Sequence, residues 1–169
     1  MVYFEYSQDI RQQLLSERDM LTQAKKAFNG EIEKFSFGGT VDLYRVGKLP
    51  SGFYVALRVF RQDRHFSGSS LGKQKSLLED YCQNAEELNS EGKEVPKFCV
   101  GAVYGQRAGI FTEDLTAGGT QNFEHYPDYD FAWVGEGENR RKVFVDIDYL
   151  FKHREDKPKY FLEERLIQL

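Results

Sequence analysis

Long apolar runs are missing from this chain: no stretch approaches the ~18 residues needed to cross a bilayer as a helix, so no membrane span is expected. A basic excess is missing too. Lys and Arg number 23 against 27 Asp and Glu, for a net charge of −4. With a pI near 5.5, this balance offers little of the clustered positive surface that nucleic-acid phosphates require, and no nucleic-acid partner is expected. His65, His125 and His153 share no metal-ligand spacing with one another or with cysteine, which argues against a zinc site. Cysteine occurs twice, at Cys82 and Cys99. The opening residues MVYFEYSQDI lack the basic start and apolar core of an export signal, so a reducing cytoplasm is the expected setting. There the two thiols are expected to stay free, buried as small core residues.

What is present is aromatic and well patterned. The 169 residues, 40% apolar and 15% aromatic with 14 Phe and 10 Tyr, suit a single domain (1–169) with substantial β content. Within it, 1–30 reads as an N-terminal helical segment, 33–120 as sheet and helix, and 121–169 as a second hairpin and a C-terminal helix. Ile10, Leu14, Leu21, Ala24 and Phe28 recur at helical spacing and predict one amphipathic helix from Ser7, as its cap, to the Asn29-Gly30 stop. Glu33 to Val46 and Phe53 to Phe60 predict two antiparallel strands around a Lys48-Leu49-Pro50-Ser51-Gly52 turn. Leu71, Leu78, Tyr81, Cys82, Ala85 and Leu88 trace a second helical face, capped by Ser69 or Ser70 and ending near Gly92.

Further on, Lys97 to Tyr104 and Ala108 to Thr112 flank Gly105-Gln106-Arg107 as a hairpin. Phe131 to Val134 and Lys142 to Ile147 flank a turn-rich loop as another. In the tail, Asp156 as cap, Pro158 in a first turn, and Phe161, Leu162, Leu166 and Ile167 predict a last helix. No internal repeat, low-complexity tract or linker interrupts this order.

Ser36 to Val41, Val55 to Arg58, Ile110 to Gly119 and Val143 to Asp146, in that order, resemble four motifs of the protein-kinase family. Ser36-Phe37-Gly38-Gly39-Thr40-Val41 resembles the glycine-rich turn whose backbone approaches nucleotide phosphates, with one family glycine missing. Val55-Ala56-Leu57-Arg58 is similar to the Val-Ala-Ile-Lys strand, with Arg58 in the place of the phosphate-binding lysine. Ile110 to Gly119 resembles the hinge that joins the two lobes. Val143-Phe144-Val145-Asp146 looks like the strand that carries the metal-binding Asp.

The resemblance covers about residues 33–150 and implies an α+β fold. Its sheet would be mainly antiparallel, like a kinase small lobe packed with two to three helices, without the full helical large lobe. It implies nucleotide-binding roles for Gly38, Gly39, Val41, Ala56 and Arg58, with Glu79 as the helical partner of Arg58. Glu113 and Leu115 would bind adenine through their backbones. Asp146, Asp130 and Asp148 would hold Mg²⁺, two strand-end carboxylates suiting a hard cation, and Asp128 is the one candidate for a catalytic base. ATP and Mg²⁺ are the implied ligands.

The departures point the other way. Only Thr120 to Tyr129 separates the hinge-like stretch from the next strand, where the family places a long helix and its His-Arg-Asp loop. An arginine fork also differs from an ammonium in length and shape. A degenerate nucleotide- or ligand-binding module with little or no phosphotransfer, acting as a regulatory or interaction protein, is therefore the leading expectation. The alternatives are a Mg²⁺-dependent phosphotransferase on a small acceptor, completed by a partner or dimer mate, and an α+β interaction domain that binds no nucleotide. A nuclease built on Asp146 and Asp148 lacks a helper lysine and the right net charge.

Overall fold

The computed structural model describes residues 2–35, 41–60, 70–118, 120–125, 130–135, 137–145 and 165–169. Among them the fold is α+β: three α-helices, a five-stranded mainly antiparallel sheet and a smaller three-stranded sheet, with no helical large lobe. Helices α1 (Val2–Leu15) and α2 (Arg18–Phe28) lead into strands β1 (Val41–Lys48) and β2 (Tyr54–Phe60). Helix α3 (Leu71–Ser90) follows, then β3 (Cys99–Tyr104) and β4 (Arg107–Glu113). A 3-10 turn at Leu115–Gly118 passes the chain to β5 (Thr120–His125), β6 (Asp130–Val134) and β7 (Arg141–Val145). The two-residue strand β8 (Ile167–Gln168) comes last.

The large sheet runs β1-β2-β4-β3-β8, antiparallel except for the β3–β8 pair, and the small one runs β5-β6-β7. Alternation along the strands sorts the core onto two faces, as the two-residue period requires. Val55, Leu57 and Val59 of β2 share a cluster with Phe111, Val100, Ala102 and the α1 and α2 residues Ile10, Leu14, Ala24 and Phe28. Phe60, Ile110, Cys99 and Val103 turn to the other face and pack with Leu78, Tyr81, Cys82, Ala85 and Leu88 of α3. The sheet is thus sandwiched between two helical layers.

The expected first helix is broken in two. Ser16 N–H and Glu17 N–H donate to the carbonyls of Gln13 and Leu14, closing α1 with i→i−3 turns before α2 begins. The break lets α1 cover β3 while α2 covers β1. Ser7 is consequently a buried residue inside α1 rather than its cap, and its Oγ accepts the N–H of Cys99 at 3.1 Å.

Ser70 does cap α3, its Oγ accepting from Lys73 N–H at 3.2 Å. The β3–β4 hairpin turns through Gly105 and Gln106, with Gly105 at φ +60°, where a side chain would be strained. Gln74 of α3, fully buried, fastens this hairpin: its Oε1 accepts Ala108 N–H at 2.9 Å and its Nε2 donates to the Gln106 carbonyl at 3.2 Å.

Two more expectations are corrected, and a connection to which sequence reading gives no element forms a strand. Cys82 and Cys99 are not free thiols but a disulfide joining α3 to β3, with Cα atoms 5.9 Å apart, because both side chains face the same α3–sheet layer. The connection after the hinge-like stretch contains a strand, β5, which finds its partner in β6. Leu166 and Ile167 belong to an extended segment rather than to a last helix, one side chain going to each face of the large sheet. The helix expected from Asp156 lies outside the described residues.

Candidate functional site

Three of the residues expected to bind a nucleotide share the α3-facing side of the large sheet. Val41 opens β1 opposite Phe60, and Ala56 sits on β2 between Arg45 of β1 and Thr112 of β4. Arg58 lies one step along the same face, between Leu43 and Ile110. Val41 and Ala56 are buried, and so is the Arg58 residue, at 8% exposure. A cation this enclosed needs compensation. One source is the ring of Tyr81 on α3, with the guanidinium carbon 5.2 Å from the ring centroid, within cation–π range. Glu79, the expected partner, is half-buried on the same helix.

At the far end of β4, Glu113 works as a bracket. One carboxylate oxygen accepts Lys97 N–H at 3.0 Å and the other pairs with Arg141 Nη2 at 2.8 Å. Arg141 reaches Glu94 with its second nitrogen at 2.9 Å. Burial pulls the Arg141 guanidinium down, but the hydrogen bonds and charges of Glu94 and Glu113 outweigh this and leave its pKa raised. Together with the Phe144 N–H donated to the Glu94 carbonyl at 2.9 Å, these contacts tie β7 to the large sheet. The β6–β7 hairpin that precedes Asp146 is thereby held in a defined place beside the end of β4.

The hinge-like stretch runs along β4 as far as Glu113 and then winds into the 3-10 turn at Leu115–Gly118. Asp114 Oδ1 accepts both the N–H of Thr116, at 3.0 Å, and its hydroxyl, at 2.6 Å, capping the 3-10 turn. Asp114 Oδ2 lies 3.3 Å from Arg45 Nε, which itself donates to the Thr116 hydroxyl at 3.2 Å. Leu115 packs with Ala132, Val134, Val143 and Val145 in the small hydrophobic cluster between the turn and the β6–β7 hairpin.

Asp130 begins β6, paired with His125 and Val145, which sets its backbone beside the end of β7. Gly38, Gly39, Asp128, Asp146 and Asp148 lie outside the described residues. Among the described residues no three His, Cys, Asp or Glu side chains converge as a metal-ligating group, and no helix is long and apolar enough to cross a membrane.

Two elements of the site escaped sequence reasoning. Tyr81 was legible as a residue of the α3 core face, but its pairing with Arg58 depends on how α3 crosses β2. The Glu94–Arg141–Glu113 bracket joins residues far apart in the chain: Glu94 and Arg141 read as ordinary surface charges, and Glu113 was singled out for its backbone, not for its carboxylate. No family model matches this chain, and neither a curated protein nor a solved structure matches it.

Proposed function

We propose that this protein is a degenerate kinase-like module that binds a nucleotide or a related ligand, performs little or no phosphotransfer, and acts as a regulatory or interaction protein. The observation that carries this reading is Arg58: a buried cation on a central strand, on the sheet face that α3 covers, in the position where the motif resemblance puts its phosphate-binding residue. Ala56 and Val41, on the same face, add the small and apolar surface that a base would need. The ring of Tyr81 favours a planar guanidinium at this place. A phosphate contact made by that group would come from a longer, planar fork in place of the compact ammonium that the transfer geometry of the family uses, in keeping with recognition more than transfer.

A second reading, an α+β interaction domain with no nucleotide, is favoured by one observation. Leu115 opens a capped 3-10 turn and packs against the small sheet, whereas adenine recognition by its backbone calls for outward-facing groups.

Thermal unfolding with and without ATP and Mg²⁺ separates the two. Ligand at about 100 times its dissociation constant stabilises a single-site protein by about 2.7 kcal/mol. The expected result is a Mg²⁺-dependent upward shift in Tm that is lost in Arg58→Ala and Asp146→Ala and retained in part in Arg58→Lys. The same Tm with and without every nucleotide tried would reject the leading reading in favour of the second.

A further inference from the structure

Arg45 of β1 spans one end of the sheet face that carries Val41, Ala56 and Arg58. It stands in register with Ala56, and β2 lies between β1 and β4, so a side chain of β1 that reaches the residues after β4 has to cross β2. Arg45 does so. Its Nε and Nη2 donate to the Thr116 hydroxyl at 3.2 and 2.7 Å, and Nε lies 3.3 Å from Asp114 Oδ2. The far anchor is itself fixed. Asp114 N–H donates to the Tyr54 carbonyl at 2.8 Å, and Asp114 Oδ1 accepts both the N–H and the hydroxyl of Thr116. On the near side the guanidinium carbon lies 4.6 Å from the centroid of the Phe35 ring. Phe35 N–H donates to the Leu43 carbonyl at 2.9 Å, which seats that residue against β1.

The two ends of this contact are unequal. The Asp114 side chain is 2% exposed, whereas that of Arg45 is 60% exposed. A carboxylate held in the fold keeps its place, and the arginine is the member able to swing. On release it regains water and rotamer freedom, so the closed arrangement is favoured only by a small factor. A planar base laid against Ala56 needs the small, apolar surface there to be open. A guanidinium that crosses β2 at this level takes the same space.

We propose that Arg45 is an autoinhibitory strap: it holds the base end of the site shut in the free protein, and a nucleotide enters only when the strap lets go of Thr116 and Asp114. The inference rests on the nucleotide reading of Val41, Ala56 and Arg58. Apparent affinity is then the intrinsic affinity reduced by the fraction of molecules that are open. Charge-assisted hydrogen bonds from a side chain this exposed favour the closed state by about threefold to about tenfold. The sign of the effect is diagnostic. Removing a cation from beside an anionic ligand weakens binding by simple electrostatics, whereas removing a strap strengthens it.

Calorimetric titration of the full chain with ATP and Mg²⁺ separates these effects. Arg45→Met keeps most of the stem and removes the guanidinium. The expected result is a dissociation constant lower than that of wild type by about threefold to about tenfold. Binding by Arg45→Met where wild type takes up no ATP supports the strap as well. Equal or weaker binding by the variant overturns the strap and leaves the nucleotide reading standing. No binding by either chain overturns both. Should Arg45→Met fail to fold, Thr116→Val decides in its place, since it keeps the cation and removes the hydroxyl that anchors it. Tighter ATP binding by Thr116→Val than by wild type supports the strap, and equal, weaker or absent binding overturns it.

Discussion

Replacing Gln74 tests whether the α3–hairpin contact is a polar clasp or only a packed surface. Gln74→Leu keeps most of the volume and removes both hydrogen bonds. The Gln106 carbonyl belongs to an exposed turn residue and can take water instead, at little cost, but Ala108 is fully buried and its N–H loses the Gln74 acceptor. Stranding a buried donor costs about 1–3 kcal/mol, so the urea midpoint should fall by roughly 1 M, given slopes of about 1–3 kcal/mol/M for small proteins.

Gln74→Glu sharpens the test. In its neutral form a carboxyl reproduces both contacts, donating to the Gln106 carbonyl and accepting from Ala108. Ionised, it loses the donor and buries a charge. Burial raises the folded-state pKa of such a group above its unfolded value of about 4.3. The variant should therefore match wild type below about pH 4 and lose stability relative to it as pH rises through the folded value. Urea unfolding of both variants and wild type at pH 4 and pH 7 reads this directly. A Gln74→Leu chain as stable as wild type, or a Gln74→Glu chain whose deficit does not change with pH, would refute the reasoning.

Two further outcomes are expected. The Cys82–Cys99 bridge spans a sequence separation of 17, and removing a loop of that size costs about 3 kcal/mol, roughly 10 °C in Tm for a domain of this length. Reductant or Cys82→Ser should lower Tm by that much in a scanning calorimeter, and thiol titration of the non-reduced, unfolded chain should find no free cysteine; two titratable thiols would refute the bridge. Burial, followed by the charge of Asp42, raises the Tyr44 phenol above its usual value against the opposing pull of Lys34 and Arg107. Its contribution is complete below about pH 10, the unfolded value, and is lost as pH rises through the folded one, so Tyr44→Phe should flatten the alkaline limb of a stability–pH curve.

Elements whose signal is local were legible in the residues. The β1–β2 and β3–β4 hairpins, the span of α3 and its Ser70 cap were read from alternation, turn residues and helical spacing, because each depends on neighbours a few positions away. The first helix was misread where local pattern and global geometry part. Ile10 through Phe28 keep a helical period, yet α1 packs on β3 and α2 on β1, a division that is visible only once the sheet beneath is formed. Leu166 and Ile167 illustrate the same division. Adjacent apolar residues suit a helix in isolation; the edge of β3, about sixty residues earlier in the chain, takes one side chain on each face and pairs Ile167 into a short strand.

For the candidate site, the sequence alone determined which residue types are available: a cation at position 58 in an apolar strand, a capped 20-residue helix after it, and acidic residues near the ends of later strands. Tertiary structure decided which of them meet. Arg58 lies over Tyr81, Glu113 and Glu94 converge on Arg141, and Cys82 faces Cys99, although nothing in the local pattern favours these pairings over others. The physical reason is one of range. Backbone propensity and hydrophobic period act over one or two turns of chain, whereas buried charges and thiols find partners only after sheet register and helix crossing have brought distant segments within a few ångströms.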